Sequence, residues 1–397
     1  MAAPRAVLVD AVRTPFGKAG SALAETRADD LVVAVLRELM RRSPGLDPAD
    51  IDDIAIAATT QVGDQGLTLG RSAALLAGLP KTVPGYAIDR MCAGAMTAVT
   101  TLSAAIMAGQ IDVGVAGGVE SMSRHPMGAD ADPHPRFVAE RIVDPDALLM
   151  GKTAENLHDR YPTLTRQRCD AYAAASQRKT AEAYAAGLIQ PDLVPVAARS
   201  TELGWGYLSA DEAMRPETTL DALSSLKTPF RSHGRVTAGN SSGLNDGATA
   251  ALLMSEEAAI ARGLVPSMRV VGFAFAGVEP EVMGIGPVPS THKALSRAGL
   301  SIDDIGLFEI NEAFAVQVLA FLEHFGIADD DPRVNPRGGA IAVGHPLASS
   351  GIRLMLNLRR EFEADPSVRY GMTTMCIGLG MGGTVIWENC AYEGAGR

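Results

Sequence analysis

Cys92 and His345 are the two residues whose types and settings could form a nucleophile and its base. Cys92 stands at the predicted start of a helix of small residues, where the helix dipole and a nearby imidazole would lower the pKa of its thiol. A buried structural cysteine is the alternative reading of Cys92 alone. His345 precedes Pro346 between a predicted strand and helix, where a lone histidine is usually an ordinary polar residue. Together the pair would activate a thiol for attack on a carbonyl carbon.

A second thiol, Cys376, precedes a glycine-rich run over residues 378–383. Such a run could cradle a phosphate, but a dinucleotide site requires a strand, a glycine loop and then a helix. The β-branched residues 384–386 follow here, which predicts strand–turn–strand and argues against a dinucleotide. Backbone N–H groups exposed by these glycines, that of Gly378 among them, could instead stabilise an oxyanion.

Asn311 follows a predicted strand at residues 306–310. It could be the N-cap of the next helix, which is the usual role of asparagine at such a place. It could also hold a water molecule that helps to polarise a carbonyl group. The residues alone leave both readings open.

The elements that must position these residues alternate between short β-branched strands and helices rich in alanine and leucine. This alternation predicts a layered α/β fold. Strands are predicted at 6–9, 54–58, 86–88, 113–115 and 248–254, and helices at 27–40, 166–186 and 256–262.

The alternation breaks between about residue 120 and residue 245, where nine prolines and most of the arginine clusters lie. We therefore expect an inserted, loop-rich domain. The predicted organisation is an N-terminal α/β half at 1–119, an insertion at 120–246, a return to the first half at 247–268, and a C-terminal half at 269–397.

A weak internal repeat suggests that the two halves are related. Residues 51–54 recur as residues 302–305, both Ile-Asp-Asp-Ile, and Ala-Ile at 87–88 recurs at 340–341. The second match aligns Cys92 with His345. Two similar halves related by a pseudo-twofold axis would then bring both residues to one site.

Residues 91–111 carry no formal charge and could be mistaken for a membrane span. Alanine, glycine and threonine dominate the stretch, whereas lipid-facing helices are rich in leucine, isoleucine and valine. We predict a helix buried in the protein core.

Composition narrows the class of protein. The 397 residues are 47% hydrophobic and 20% charged, which excludes a disordered chain. A net charge of −11 argues against nucleic-acid and anionic-membrane partners. The four cysteines show neither a disulfide framework nor metal-ligand spacing, and no secretory signal is evident. We expect a cytoplasmic protein with free thiols and no bound metal.

Five segments taken together resemble the thiolase family. They surround Cys92 and cover residues 237–248, 311–314, 344–346 and 376–382. The resemblance spans essentially the whole chain, and its order and spacing are more specific than any one motif. Residues 376–382 look more like degradative 3-ketoacyl-CoA thiolases than biosynthetic acetoacetyl-CoA thiolases.

The resemblance implies a layered αβαβα architecture built from two duplicated halves, with an inserted loop domain. It implies that Cys92 becomes acylated and that His345 activates it. His345 and a water held by Asn311 would stabilise the enolate of acetyl-CoA, and Cys376 would move the proton on its carbon. The N–H groups of Cys92 and Gly378 would form a second oxyanion hole.

Coenzyme A is implied as a substrate rather than as a permanently bound cofactor. Residues expected near CoA or the acyl group are Met150, Arg215, Ala238, Ser242, Ala313 and Phe314. Because CoA is polyanionic, we also expect a local cationic entrance from Lys227, Arg231, His233 and Arg235. A solvated charged loop is the alternative reading of these four residues.

Some residues depart from the family pattern without removing a catalytic side chain. Gly94 stands where the family usually has serine, and Ala348 stands where it usually has glycine. The expected activity is 3-ketoacyl-CoA thiolysis, with biosynthetic acetoacetyl-CoA formation as the alternative. The presence of Cys92, His345, Asn311 and Cys376 together argues against a non-catalytic acyl-CoA-binding scaffold. A ketoacyl synthase usually pairs its cysteine with two histidines, whereas here the second partner is Cys376. The resemblance also implies a homodimer or homotetramer.

Overall fold

A ten-stranded sheet forms the framework of the computed structural model, which describes residues 4–200 and 204–392. Its strands run in the order β10-β11-β12-β9-β1-β8-β5-β3-β4, with β2 paired to β8, while β6 and β7 form a separate hairpin. The bounds are β1 Ala6–Arg13, β2 Gly17–Lys18, β3 Asp53–Ala57, β4 Tyr86–Ile88, β5 Val113–Ser121, β6 Val196–Ser200, β7 Gly204–Leu208, β8 Asn245–Ser255, β9 Met268–Gly277, β10 Leu307–Ile310, β11 Tyr370–Ile377 and β12 Met381–Asn389.

The longer helices of the two halves pack on the faces of this sheet and between its halves, whereas α4 to α7 belong to the insertion. Their bounds are α1 Ala28–Arg42, α2 Leu69–Ala77, α3 Gly94–Met107, α4 Arg136–Ala139, α5 Met150–Arg160, α6 Arg166–Ala185, α7 Leu220–Ser224, α8 Glu256–Ala261, α9 Pro287–Ala298, α10 Ala315–Phe325, α11 Ala340–Val343 and α12 Ser350–Ala364.

Three hydrophobic clusters define five layers. One joins α1 and α2 to the N-terminal strands, and another joins α9 and α10 to the C-terminal strands. The third joins α3 and α12 in the centre, between the two halves of the sheet. This is the expected αβαβα arrangement, so the predicted fold class is confirmed. The central pair matters most because both helices begin beside the candidate site.

The two halves share one strand arrangement. In the N-terminal half, β1, β8 and β5 are antiparallel neighbours and β5 is parallel to β3. In the C-terminal half, β9, β12 and β11 are antiparallel neighbours and β11 is parallel to β10. The duplication inferred from the sequence is therefore visible in the topology.

The register inferred from the short sequence matches needs correction. Ile54 lies within β3, whereas Ile305 precedes β10, and the segment at 340–341 begins helix α11 rather than forming a strand. Each central helix follows a 3₁₀ turn, Met91–Ala93 before α3 and Leu347–Ser349 before α12. This correspondence matches Cys92 with Ala348 and not with His345, which lies one turn earlier.

The loop-rich region occupies the connection between neighbouring strands β5 and β8. The equivalent strands β11 and β12 are joined by a tight turn at residues 378–380. The insertion holds α4 to α7 and the β6–β7 hairpin, and its predicted helix at 166–186 appears as α6. The domain boundaries assigned from the sequence stay a prediction.

The uncharged stretch at 91–111 contains α3, whose first two turns, residues 94–100, are buried as predicted, whereas Thr101, Ala104 and Met107 are exposed. Within the described residues, no helix is both long enough and apolar enough to span a bilayer. The small residues of α3 instead allow it to lie close to β5 and α12 in the central layer.

Candidate active site

Cys92 lies in the 3₁₀ turn Met91–Ala93, directly before α3. The backbone N–H of Gly378 and the N–H of Cys92 itself both face the Cys92 thiol. Burial nevertheless raises the pKa of this thiol to about 11, and the nearby carboxylate of Glu120 adds to the effect. This corrects the expectation of a lowered pKa, because desolvation of the thiolate outweighs the helix-end contribution in the ligand-free chain.

His345 is buried between α11 and the turn Leu347–Ser349, and its backbone N–H donates to Asn245 Oδ1 over 3.0 Å. Its Nδ1 lies 2.6 Å from Ser350 Oγ. Burial, followed by the positive charge of Arg353, lowers the pKa of His345 to about 3. The imidazole is therefore neutral at physiological pH and able to accept a proton.

Asn311 and Cys376 reach the same edge because they end parallel neighbours. Asn311 follows β10 and its N–H donates to Thr374 O of β11 over 2.9 Å. Asn311 Nδ2 lies 3.3 Å from His345 Nε2. The helix-cap reading of Asn311 is wrong, because α10 begins at Ala315 and its N-cap position is occupied by Phe314.

Cys376 is buried on β11, next to the turn that carries Gly378. Burial raises the pKa of its thiol, and a charge on Cys92 would raise it further. The two sulfurs are thus close enough to interact electrostatically. The glycine run forms the predicted strand–turn–strand between β11 and β12, with Leu379 and Gly380 at positive φ.

Two departures from the family pattern meet beside Cys92. A Cβ atom added to Gly94 would lie 3.0 Å from Ala348 Cβ and 2.6 Å from Ala57 Cβ. Glycine at position 94 therefore leaves room for the methyl group of Ala348. The contact also packs the start of α3 against the turn that follows His345.

A cavity of about 440 Å³ includes in its lining Asn245, the partner of the His345 N–H. Among the described residues, Cys92, His345, Asn311 and Cys376 do not line it. Arg215 and Ala238 line it, as does Lys18, which the sequence analysis missed. The remaining lining residues come mainly from the insertion and the strand edge, namely Ala19, Gln177, Ala213, Thr218, Ala222, Leu223, Leu226, Gly239, Ser241, Gly243, Leu244, Asn245 and Ile341.

The other substrate residues expected from the sequence lie around the cavity and the thiols. Ser242 donates its backbone N–H to Ala313 O over 3.0 Å, and the neighbouring Ser241 pairs with Phe314 in an isolated bridge. Met150 begins α5, and its sulfur would lie 3.8 Å from a Cβ added to Gly378.

The cationic entrance expected from Lys227, Arg231, His233 and Arg235 stays a prediction. Arg231 is ion-paired with Asp159, and Arg235 donates to the carbonyl groups of His158 and Leu164. None of the four predicted residues lines the cavity in the part of the chain that the structure describes. Lys18 and Arg215 supply its positive charge instead. Lys18 could not be found from the sequence because it lies on β2, far from every motif.

The environment of His345 includes residues without an assigned role, among them Asn245, Ser350 and Arg353. A signal for Arg353 was present, because it interrupts an apolar run at residues 352–356. A charged residue at a buried helix position usually has a specific partner.

The four cysteines are free thiols. Over residues 4–200 and 204–392, no group of three or more histidine, cysteine or acidic side chains is arranged to hold a metal ion.

Comparison with known proteins identifies the family. Sequence models described as "Thiolase, N-terminal domain" and "Thiolase, C-terminal domain" match residues 6–257 and 264–389. The chain is 45% identical to a 3-oxoadipyl-CoA/3-oxo-5,6-dehydrosuberyl-CoA thiolase of Escherichia coli K12, covering 96% of this chain and 99% of that protein. It is 42% identical to a 3-ketoacyl-CoA thiolase of Bacillus subtilis, with 97% and 99% covered.

Solved structures agree with this match. The fold superposes on the acetyl-CoA acetyltransferase of Bacillus anthracis with a TM-score of 0.88 and 37% identity, covering 98% of this chain and 99% of that one. Human mitochondrial 3-ketoacyl-CoA thiolase gives a TM-score of 0.88 and 34% identity, with 97% and 99% covered. The chain therefore belongs to the thiolase family of acyltransferases.

Proposed function

We propose that this protein cleaves 3-ketoacyl-CoA with CoA, releasing acetyl-CoA and a shortened acyl-CoA through an acyl-enzyme on Cys92. The observation that carries the proposal is the meeting of two thiols and an oxyanion donor. The charge of Cys92 affects Cys376, and the N–H of Gly378 faces the Cys92 thiol. Attack and proton transfer are separate tasks, so two thiols in different environments suit the reaction.

In the first half-reaction, the sulfur of Cys92 attacks the C3 carbonyl while its proton passes to the neutral His345. The C2–C3 bond then breaks, and its electron pair leaves as the enolate of acetyl-CoA. Cys376 donates its proton to C2 and becomes a thiolate. Because the pKa of Cys92 is raised and that of His345 is lowered, proton transfer must accompany attack rather than precede it.

In the second half-reaction, the Cys376 thiolate takes the proton of the incoming CoA thiol. The CoA sulfur attacks the acyl group on Cys92, and protonated His345 returns its proton to the departing Cys92 sulfur. Every group is restored, and the same steps in reverse give the Claisen condensation. The scheme predicts ping-pong kinetics.

Oxyanion stabilisation is assigned to two sets of donors. The N–H groups of Cys92 and Gly378 would bind the oxygen of the tetrahedral adduct. His345 and a water held by Asn311 would bind the enolate oxygen of the acetyl unit. Losing one such donor typically costs ~3–4 kcal/mol in the barrier.

For CoA itself, we propose that the pantetheine arm passes Met150, Ala238 and Ser242, beside Ala313 and Phe314. Lys18 and Arg215 line the 440 Å³ cavity, and their positive charges suit the phosphate groups of CoA. We also propose that the enzyme is a cytoplasmic homodimer or homotetramer.

Biosynthetic acetoacetyl-CoA formation is the second candidate, and likeness to an acetyl-CoA acetyltransferase structure favours it. The names of several relatives instead specify longer acyl groups, including the dicarboxylic β-ketoadipyl-CoA. Comparing kcat/KM for acetoacetyl-CoA, a longer straight-chain 3-ketoacyl-CoA and 3-oxoadipyl-CoA tests the choice. Degradative function predicts a higher value for a longer substrate, and exclusive use of acetoacetyl-CoA would contradict it.

A further inference from the structure

Arg353 is a buried cation on α12 with no part in the proposed scheme. Its side chain is 1% exposed. Its Nη2 donates to Asn311 Oδ1 over 2.9 Å, and its Nη1 lies 3.5 Å from Glu309 Oε2. Burying a guanidinium is costly unless its partners compensate, so the choice of these partners is informative.

The contact with Asn311 fixes which way the amide points. A guanidinium has donors and no acceptor, so the atom that it contacts must be the amide oxygen. The NH₂ group of Asn311 is thereby turned towards the His345 ring, with Nδ2 3.3 Å from Nε2 and 3.5 Å from Nδ1. Without Arg353, either orientation of the Asn311 amide would be open.

The imidazole tautomer is biased by the same contact. Nδ2 of Asn311 can only donate, and Nε2 is the nearer of the two ring nitrogens, so a lone pair on Nε2 suits this contact better than a proton there. The proton of the neutral ring then sits on Nδ1, which is 2.6 Å from Ser350 Oγ and can donate to it. Hydrogen bonds are thus donated in one direction, from Arg353 to Asn311, from Asn311 to His345 and from His345 to Ser350.

The charge of Arg353 acts on the same group. After burial, it is the next cause of the lowered pKa of His345. The facing acid on β10 offsets this charge incompletely, because burial raises the pKa of Glu309 to about 8. Arg353 therefore favours the neutral imidazole through both its hydrogen bond and its charge.

We propose that Arg353 is a positioning residue for the thiolase reaction, holding Asn311 and, through it, the Nδ1–H tautomer of His345. The inference rests on the proposed function of Asn311 and His345. The rival account is a purely structural ion pair with Glu309, which would affect folding but not the chemistry.

A double-mutant cycle separates the two accounts. Arg353→Met should lower kcat about 100-fold and leave KM for CoA within about threefold, because positioning is lost and CoA contacts are not. Combined with Asn311→Ala, it should add no more than about threefold to the loss from Asn311→Ala alone, since both act through one group. Losses that multiply, or an unchanged kcat in folded Arg353→Met, would overturn the proposal.

Arg359→Met is the matched control, because Arg359 is also a buried ion-paired arginine on α12 but contacts Asp10 and Glu363. It should lose stability and keep kcat. If Arg353→Met does not fold, the double variant Glu309→Gln/Arg353→Met removes both buried charges and is expected to fold. Its kcat should fall about 100-fold, as expected for Arg353→Met, and a wild-type kcat in this folded double variant would refute positioning.

The pH dependence of kcat distinguishes the two accounts, because a purely structural role of Arg353 would leave it unchanged. Removing the Arg353 charge should raise the pKa of His345, so the acid limb of kcat should shift to higher pH in Arg353→Met. An unshifted limb would count against the proposal. Wild-type turnover by Asn311→Ala would reject both the positioning role of Arg353 and the assigned role of Asn311. If Asn311→Ala loses activity but its loss multiplies with that of Arg353→Met in the double variant, only the positioning role of Arg353 is rejected.

Discussion

Cys376 lies within electrostatic reach of Cys92, so that a negative charge on Cys92 raises the pKa of Cys376. The relationship arises from the packing of the turn at Met91–Ala93 against β11. Two thiols so placed disfavour simultaneous ionisation. A proton is therefore retained by one sulfur while the other reacts, which is what an acyl-transfer site with a second acid requires.

Replacing Cys376 should separate acylation from carbon–carbon bond chemistry. Cys376→Ser is expected to accept an acetyl group from acetyl-CoA on Cys92, yet to lose about 10²- to 10⁴-fold in thiolysis, the usual contribution of a general acid–base group. Intact mass and steady-state rates measure the two steps. Full turnover would refute the proton-transfer role, and Cys390→Ser is the matched control that should remain active.

The pH dependence of Cys92 alkylation tests its electrostatic setting. With a pKa raised to about 11, the thiolate fraction grows with pH, so the iodoacetamide rate should keep rising beyond pH 9 in the ligand-free enzyme. A plateau near pH 7 would show a thiolate–imidazolium pair already formed, as the sequence alone suggested.

His345→Ala should slow acylation of Cys92 by acyl-CoA, because the thiol then lacks its proton acceptor. A loss of about 10²- to 10⁴-fold is expected for a general base. Single-turnover acylation followed by mass spectrometry measures it. Acylation at the wild-type rate, in a variant with unchanged thermal unfolding, would contradict the role of His345.

The charges of the 440 Å³ cavity should govern CoA affinity. Lys18→Ala combined with Arg215→Ala is expected to raise KM for CoA by about tenfold or more, with the defect shrinking at high salt, since hydrogen bonds to charged groups contribute about 1.5–3 kcal/mol. The control is Lys227→Ala with Arg231→Ala and Arg235→Ala, which should leave KM unchanged. The reverse pattern would restore the entrance inferred from the sequence.

The close packing at Gly94 predicts a stability effect. Gly94→Ala should lower the free energy of unfolding by about 1–3 kcal/mol, because the new Cβ meets the methyl groups of Ala57 and Ala348. Denaturant unfolding measures the change. Gly206→Ala is the control, since a Cβ there meets nothing within 4 Å. Equal stability of both variants would show that the Gly94 contact relaxes freely.

Much of the fold follows from local patterns. Strand and helix periodicity located β1, α1, β5, α6 and β8, and the β-branched residues after the glycine run predicted the β11–β12 turn. The two halves are related as the repeat suggested, but the alignment of residues taken from it was wrong. Four identical residues are too few to fix an alignment, which the order of strands and helices sets instead. The 340–341 segment is helical despite its β-branched residue, since tertiary packing overrides weak propensity.

The candidate site was predictable where it depends on residue type and not where it depends on burial. Cys92, His345, Asn311 and Cys376 are chemically conspicuous, and each lies at the end of a predicted element. The sign of the Cys92 pKa shift was wrong, because desolvation depends on neighbours far along the chain. Lys18 was missed because its place in the cavity also depends on residues far along the chain.

Covalent catalysis by Cys92 is tested most directly by the intact mass of the enzyme after incubation with acetyl-CoA. One added acetyl group per chain is expected, located on Cys92 by peptide mapping and absent from Cys92→Ser. An acetyl group retained in Cys92→Ser, or no adduct in an enzyme that turns over, would contradict covalent catalysis by this thiol.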